Sequence, residues 1–161
     1  MLESFCPKNV VKHCLMVSAK SYDLAGLILL NGSKIDAELC KVGGLIHDIG
    51  RYKSHGLNHG IIGAEMLKNH PQLARIAKTH VGGGISKQEA IDLKLGNEDL
   101  MPVALEEKVV CYADKLVQGN RFAVNADEEI EKLRAKLGKN HASIKRLRAI
   151  EDEINKLIKK V

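Results

Sequence analysis

The apolar positions of this chain recur every three or four residues, the spacing of one face of an α-helix. Pro7 is suited to open a first helix, and Asn31-Gly32 is suited to end it. Between them an apolar stripe runs as far as Leu30, and it begins with Val10, Val11, Cys14, Leu15 and Val17. The pattern predicts one long helix at the start of the sequence.

The second predicted helix carries two adjacent glycines. Either Ser33 or Asp36 can cap its first turn, and its apolar stripe ends near His47. Gly43-Gly44 inside this helix costs roughly 1 kcal/mol of helix propensity per glycine. We therefore expect close packing or a backbone approach at these positions to compensate.

The same spacing and the turn residues define six further helices. Ser86 and Glu89 form a capping box, and Pro71 is suited to a first helical turn. Gly82-Gly83-Gly84 indicates a hinge or a closely approached turn. Neither the alternation of a strand nor a hairpin turn is found, so the predicted fold class is all-α. The six helices are predicted at about 59–67, 72–79, 87–95, 105–117, 127–137 and 141–160.

Length and composition favour one helical domain. A chain of 161 residues, 45% hydrophobic, has material for one compact core and too little for two ordinary domains. It has no tryptophan, two phenylalanines and three tyrosines, so the core must be aliphatic, which favours helix-on-helix packing. We predict a domain over residues 1–125 and a charged helical extension over 126–161 that packs on it.

Charge and cysteine usage restrict the partners. The net charge is +5, with much of the excess in the last forty residues, which fits an anionic substrate, an RNA contact or simple solubility. No apolar run approaches the ~18 residues that span a bilayer, so no membrane association is predicted. No signal segment and no C-x-x-C pair is found, which favours a cytoplasmic location and reduced, buried thiols for Cys6, Cys14, Cys40 and Cys111.

Six residues of the types that bind divalent metals lie on predicted helices or at their ends. His47-Asp48 stands where the second helix breaks at Gly50, so these neighbours can share only a target beyond the helix end. Helices that face each other in a bundle can bring such side chains to one centre. Six nitrogen and oxygen ligands exceed the needs of one tetrahedral ion and allow two. The other four residues are His13, His59, His80 and Asp114.

These residues lie in stretches that resemble the HD-domain metal-dependent phosphohydrolase superfamily, of the HDIG type. The ordered His…His-Asp…Asp pattern and the apolar spacing around it carry the resemblance. The extra histidines and the Glu-Glu-Lys-Val…Ala-Asp segment are most similar to the dinuclear branch that includes bacterial diadenosine tetraphosphate hydrolases. The matching stretches are Val11-Lys12-His13, Gly44–Arg51, Asn58–Ala64, Lys78-Thr79-His80 and Leu105–Lys115.

The resemblance implies an HD-domain helical bundle with one or two divalent ions. His13, His47, Asp48 and Asp114 would bind the first ion, and His59 and His80 would complete a second site alongside Asp48. The donor set has no thiolate, which favours Mn²⁺ or Fe²⁺, while Co²⁺, Ni²⁺, Mg²⁺ and Zn²⁺ are also compatible. A metal-activated hydroxide would cleave a phosphate ester or anhydride of a nucleotide or related small phosphorylated substrate, with Asp48 as bridging ligand and candidate general base.

Basic side chains near the motif are candidates for holding the phosphate oxygens. Arg51 and Lys115 are counted with Asp48 as catalytic residues, although Arg51 is equally compatible with a solvated position. His55 is interpreted as a surface residue or a substrate contact, and His141 as a solvated residue of the tail. The predicted substrate-binding residues are Arg51, Lys53, Lys115 and Arg121.

Two features of the sequence leave alternatives open. A non-catalytic module that senses a nucleotide or associates with RNA would also retain the ligands, and a structural metal site would leave no open coordination position. The tail has a 3-4-3-4 apolar repeat that favours packing on the domain, with a dimer contact as the alternative, so monomer and homodimer both remain open. The repeat consists of Leu147, Ile150, Ile154, Leu157 and Val161.

Overall fold

The first helix, α1, spans Lys8–Leu30 and carries the predicted ligand His13 in its second turn. Pro7 is its N-cap residue, and the backbone N–H of Asn31 closes its last turn by bonding to carbonyl oxygens inside the helix. The sequence therefore located both ends of α1 to within one residue.

The structure is a computed structural model that describes residues 6–159. Within that range the chain forms eight α-helices, one 3-10 turn and one short hairpin. After α1 the elements are α2 (Ala37–Ile46), the 3-10 turn (Ile49–Tyr52), α3 (His59–Met66), α4 (Pro71–Thr79), α5 (Lys87–Asp92), α6 (Leu105–Leu116), β1 (Val117–Gln118), β2 (Arg121–Phe122), α7 (Asp127–Leu137) and α8 (Ala142–Ile158).

One core joins helices α1, α2, α4, α6, α7 and α8. Its largest aromatic member is Tyr112, whose hydroxyl donates a hydrogen bond to the buried Glu151 at 2.9 Å. The all-α class is confirmed, and the core is aliphatic apart from this tyrosine. Leu15, from the predicted stripe of α1, is instead 54% exposed because neighbouring helical positions point about 100° apart. Fully buried members of the core include Val17, Ile28, Val110, Leu147 and Ile154.

A two-residue antiparallel hairpin follows α6 and departs from the prediction that the chain contains no strand. Val117 pairs with Phe122, and Gln118 pairs with Arg121. Gly119, with φ of +62°, makes the turn between them. Strands of two residues are too short to leave an alternating pattern in the sequence, which is why the pattern missed them.

The two glycines of α2 lie where neighbouring helices come closest. A Cβ on Gly44 would lie 2.9 Å from the backbone nitrogen and Cα of Ser18 in α1, and a Cβ on Gly43 would lie 2.6 Å from Ile76 in α4. The predicted close packing is confirmed. Because α2 ends in His47, this packing fixes where that histidine lies relative to α1.

The triple glycine brings α8 against the segment that follows α4. A Cβ on Gly83 would lie 2.8 Å from the carbonyl oxygen of Ser143 and 2.9 Å from the backbone nitrogen of Leu147. The predicted close-approach turn is therefore found. The capping box of Ser86 and Glu89 is also confirmed, at the start of α5.

The apolar repeat of the tail packs against other helices of the same chain. Leu147, Ile150 and Ile154 of α8 are buried in the common core, and Leu157 packs against it. Val161, the last position of the predicted repeat, lies outside the described residues. The described part of the repeat therefore packs on the helices of the same chain.

By length and composition alone, α1 is apolar enough to cross a membrane, although the sequence predicted no such segment. The prediction considered only residues 24–30 as an apolar run, since Lys12, Lys20 and Asp23 interrupt the apolar residues before it. Core helices of soluble proteins meet the same criterion, and the buried face of α1 belongs to the core described above.

Candidate metal centre

Three histidines of the predicted ligand set are oriented by the backbone in the same way. In each, Nδ1 lies within hydrogen-bond distance of the carbonyl oxygen three residues earlier. Because a carbonyl only accepts, Nδ1 carries a proton in each histidine, and in the neutral ring Nε2 keeps its lone pair. The pairs are His47 with Gly44 at 2.7 Å, His59 with Gly56 at 2.7 Å and His80 with Ala77 at 2.8 Å.

The free Nε2 atoms of these histidines meet at Asp48. Oδ1 of Asp48 lies 3.1 Å from Nε2 of His59 and 3.3 Å from Nε2 of His80, and Oδ2 lies 3.7 Å from Nε2 of His47. Among the described residues, Nε2 of His47 and Oδ1 of Asp48 are buried without a hydrogen-bond partner. With neutral imidazoles, these contacts therefore place lone pairs of Nε2 beside carboxylate oxygens, so that both atoms of each contact are hydrogen-bond acceptors.

The remaining two predicted ligands close the other side of the centre. Nε2 of His13 lies 2.8 Å from Oδ1 of Asp114, and Nε2 of His47 lies 3.6 Å from the same oxygen. His47 thus belongs to two groups, one with His13 and Asp114 and one with Asp48 and His80, in which all donor atoms lie within 4.8 Å of one another. The structure brings all six predicted ligands together.

The charges of the centre fit a bound cation. Burial raises the pKa of Asp48, but the positive charge of a protonated His47 holds that pKa well below its ordinary value. A bound metal ion would supply the same kind of charge in place of that proton. Burial also opposes ionisation of Asp114, yet the charge of Lys115 keeps the pKa of Asp114 low. Burial lowers the pKa of His80 to about 4, so this imidazole is neutral. Two carboxylates and unprotonated imidazole nitrogens are the donors that divalent metals require.

Gly50 allows His59 to approach Asp48. A Cβ on Gly50 would lie 1.9 Å from the carbonyl oxygen of His59 and 2.6 Å from the backbone nitrogen of Gly63. Both obstacles are backbone atoms, so the 3-10 turn can lie against α3 only if residue 50 has no side chain. The glycine of the HDIG motif thus joins the two elements that carry Asp48 and His59.

The residue pattern of the HD domain family matches residues 10–118. The chain belongs to the HD-domain family. It is 48% identical to the uncharacterized protein MJ0778 of Methanocaldococcus jannaschii, over 99% of this chain and 95% of that protein. No solved structure matches the chain significantly.

Other relatives are longer proteins. The chain is 35% identical to a tRNA (cytidine(56)-2'-O)-methyltransferase of Picrophilus torridus, over 76% of this chain and 36% of that protein. It is 32% identical to Ribonuclease Y of Clostridium tetani, over 78% of this chain and 24% of that protein. This chain therefore spans about a third and a quarter, respectively, of these two relatives.

Two of the four predicted substrate-binding cations lie at the centre of the HD domain. Nε of Arg51 donates to Oδ2 of Asp48 at 2.6 Å, and Nζ of Lys115 donates to Oδ2 of Asp114 at 2.5 Å. Each cation thus contacts a carboxylate of the predicted ligand set. Their roles in substrate binding stay predictions.

Lys53 and Arg121 are not brought to the centre. Lys53 is exposed beyond the 3-10 turn, and Arg121 is 60% exposed and forms an ion pair with Glu128 at 2.6 Å. Neither residue lines the two cavities that border the centre. Sequence proximity misplaced them because the hairpin and the 3-10 turn direct these side chains away from the ligands.

Two cavities border the centre. One of about 430 Å³ includes His13, Asp48 and Arg51 in its lining. The other, of about 660 Å³, includes His59 and Asp114 in its lining. Volumes of this size are typical of small-molecule sites.

The C-terminal extension contributes to the larger cavity, which the sequence did not indicate. Lys136, His141 and Arg146 line it. His141, predicted to be a solvated tail residue, instead caps α8 by accepting a hydrogen bond from the backbone N–H of Ser143. Arg146 forms an ion pair with Glu89 at 2.9 Å across 57 residues of sequence. No local pattern marks a contact between positions so far apart.

Proposed function

We propose that this HD domain is a metal-dependent phosphohydrolase that cleaves a phosphate ester or anhydride of a nucleotide or related small phosphorylated substrate. The observation that carries the proposal is the set of Nε2 lone pairs of His47, His59 and His80 directed at the Asp48 carboxylate. Such a set binds a cation and is costly when buried without one.

The proposed ligands form two groups around shared residues. His13, His47, Asp48 and Asp114 would hold one ion, and His59 and His80 would hold a second together with Asp48. A divalent ion supplies positive charge that lowers the pKa of water and neutralises phosphate oxygens. The nitrogen and oxygen donor set is compatible with Mn²⁺ or Fe²⁺.

Arg51 and Lys115 would hold the phosphate beside these ligands. Nε of Arg51 is occupied by Asp48, and Arg51 lines both cavities, so its remaining N–H groups would be available to a substrate. Lys115 is buried, and its contact with Asp114 fixes its ammonium group at the edge of the larger cavity. Asp48 would accept a proton from a water molecule in the site.

An RNA-associated or nucleotide-sensing role without turnover is the second candidate. It is supported by the names of relatives, since one is a ribonuclease and others are tRNA methyltransferases. The net charge of +5 also suits a polyanion. The two candidates differ in turnover, because a sensing module binds nucleotide or RNA and releases no product.

A substrate panel with defined metals tests the hydrolase proposal. Mononucleotides, dinucleoside polyphosphates, cyclic nucleotides and short oligonucleotides would be incubated with protein loaded with Mn²⁺, Fe²⁺, Co²⁺ or Mg²⁺, and metal content would be measured alongside. Asp48→Ala should lose turnover and metal, whereas the exposed His70→Ala should retain both. Binding without turnover in every combination would favour the sensing role, and turnover by Asp48→Ala would overturn the proposed site.

A further inference from the structure

The candidate metal centre has space on both of its sides. The smaller cavity extends from His13 towards Asn9 and Asn120, and the larger one extends from Asp114 towards α7 and α8. Arg51 and His55 line both cavities, so the two cavities meet at these side chains, of which Arg51 contacts Asp48. A phosphorus atom bound at the centre would therefore have room for an organic group in each direction.

We propose that the substrate is a phosphodiester of a short oligonucleotide, with one nucleoside in each cavity and the larger cavity completed by the C-terminal extension. This inference rests on the proposed function. A phosphomonoester has one organic group and would leave a cavity unused. A phosphodiester has one esterified oxygen for each side, and hydrolysis breaks one P–O bond, adds water, and leaves a phosphomonoester and an alcohol.

The α7 side of the larger cavity offers a hydrogen-bond donor for a second phosphate. Lys115, Glu129 and Lys136 all line this cavity, and Lys136 follows Glu129 by seven residues on α7. Seven residues of α-helix span about 10 Å. The wall of the cavity is therefore long enough for Lys136 to meet a second phosphate that a ribose separates from the scissile one.

Lys136 and His141 are the groups in this part of the cavity that remain free to bind a phosphate. Arg146 is already paired with Glu89, whereas no ion pair of Lys136 is found among residues 6–159. Nδ1 of His141 accepts from the backbone N–H of Ser143, so in the neutral ring the proton is on Nε2. Both an ammonium group and an imidazole N–H are thus presented to an anion.

Lys136 and His141 lie outside residues 10–118, the part of the chain that matches the HD-domain family. The C-terminal extension therefore determines how the part of the substrate in the larger cavity is held.

The smaller cavity has a different lining. Asn9 and Asn120 supply amide groups, and Lys12 supplies a cation. Amides both donate and accept hydrogen bonds, which suits the hydroxyl groups and base edges of a nucleoside.

Substrate pairs that differ in esterification test the inference. With Mn²⁺-loaded full-length protein, kcat/KM for a dinucleotide should exceed kcat/KM for the matching mononucleotide by at least tenfold. Equal values, or a preference for a mononucleotide, a nucleoside triphosphate or a dinucleoside tetraphosphate, would overturn it.

Filling the smaller cavity tests whether it holds a nucleoside. Asn9→Trp places a large side chain in this cavity and should reduce dinucleotide turnover at least tenfold. Lys8→Trp is the matched control and should change turnover less than twofold, because Lys8 is in the same exposed turn and does not line the cavity. Dinucleotide turnover in Asn9→Trp within twofold of the wild type would contradict the assignment of one organic group to each cavity.

The role of the extension is measured with a trinucleotide. Lys136→Ala should raise KM at least fivefold with kcat within twofold, and should leave bis(p-nitrophenyl) phosphate unaffected because that diester has no second phosphate. Lys139→Ala, an exposed neighbour outside the cavity, is the control. An unchanged KM for the trinucleotide in Lys136→Ala would overturn the assigned contact.

A binding measurement keeps this inference separate from the proposed function. A phosphorothioate-linked dinucleotide should bind at least tenfold more tightly than the mononucleotide, and Asn9→Trp should remove the difference. If no substrate is hydrolysed with any metal, the hydrolase proposal fails while this binding result still decides the substrate class. Equal binding of the two ligands to the wild-type protein would refute the phosphodiester inference.

Discussion

The Nε2 atoms of His59 and His80 face each other at 3.0 Å inside the protein, while both Nδ1 atoms are turned to backbone carbonyls. Two lone pairs this close repel each other unless a cation lies beside them. A proton is disfavoured on His80, because burial lowers the pKa of that imidazole to about 4. The lone pair of His80 is therefore available to a bound metal ion, which would relieve the repulsion between the two rings.

Metal binding should therefore stabilise the fold. We expect Mn²⁺ at about 100 times its dissociation constant to add about 2.7 kcal/mol to the free energy of unfolding. His80→Ala should lose most of this gain, since it removes a neutral imidazole donor, and the exposed His70→Ala should retain it. Thermal denaturation with and without Mn²⁺ measures the effect. A gain in His80→Ala equal to that of the wild type would contradict the assignment of this ligand.

Gly50→Ala should be strongly destabilising. The new Cβ would meet backbone atoms of His59 and Gly63, which cannot move without displacing α3. We expect a loss of about 3 kcal/mol or more in urea denaturation, with weakened metal binding, at the upper end of overpacking effects. Gly26→Ala is the control, because that helical position has open space and the change should stabilise by up to about 1 kcal/mol. Similar stabilities of the two variants would show that the backbone contact at Gly50 does not exclude a side chain.

The ion pair between Glu89 and Arg146 should stabilise the fold by an amount that depends on pH. Burial opposes ionisation of Glu89, but hydrogen bonds from the backbone of Ser86 and from Arg146 hold its pKa below the usual value of 4.5. A lowered folded-state pKa means that the stabilisation is present above pH 4.5 and is lost as the pH falls through the folded-state value.

Glu89→Gln keeps the capping geometry and removes the charge, so it should cost about 1 kcal/mol at pH 7. The difference from wild type should shrink below pH 4.5 in metal-free protein. Glu65→Gln is the control, because Glu65 forms an exposed pair with Lys68 and should change stability by less than about 0.5 kcal/mol. A difference for Glu89→Gln that stays constant between pH 7 and 3 would argue against an ionised Glu89 in the folded state.

The C-terminal extension should be required for folding. Leu147 is fully buried, and Leu147→Ala should cost about 2–5 kcal/mol, whereas Leu30→Ala, at a position 85% exposed, should cost less than about 1 kcal/mol. A chain that ends at Gly138 should lose cooperative unfolding, because it exposes the core that α8 covers. Cooperative unfolding of that shortened chain would show that the part before Gly138 folds independently.

Part of the candidate metal centre was predictable because some of its residues leave a local mark on the sequence. His47-Asp48 interrupts an apolar helix just before a glycine, and His80 ends another helix whose start is marked by Pro71. Gly43-Gly44 indicated close packing for the same reason, since adjacent glycines inside a helix need compensation. In these places local patterns and tertiary structure agree, which is typical of sequences that specify one fold.

Lys53, Arg121 and His141 show the limit of such patterns. Proximity in sequence placed the first two at the centre and left the third in solvent, whereas the structure directs Lys53 and Arg121 outwards and places His141 in the wall of the larger cavity. The direction of an exposed side chain depends on the turn that carries it and on the helix packed against it. Neither dependence is recorded in residue spacing.

The sequence by itself determined the helices, their aliphatic core and the six residues that could bind metal, because periodicity, capping and donor chemistry are local properties. Only the tertiary structure decided which lone pairs meet, that residue 50 must lack a side chain, and that α8 covers one side of the site. These features arise from contacts between segments far apart in the chain, whose geometry is set by the packing of the whole core.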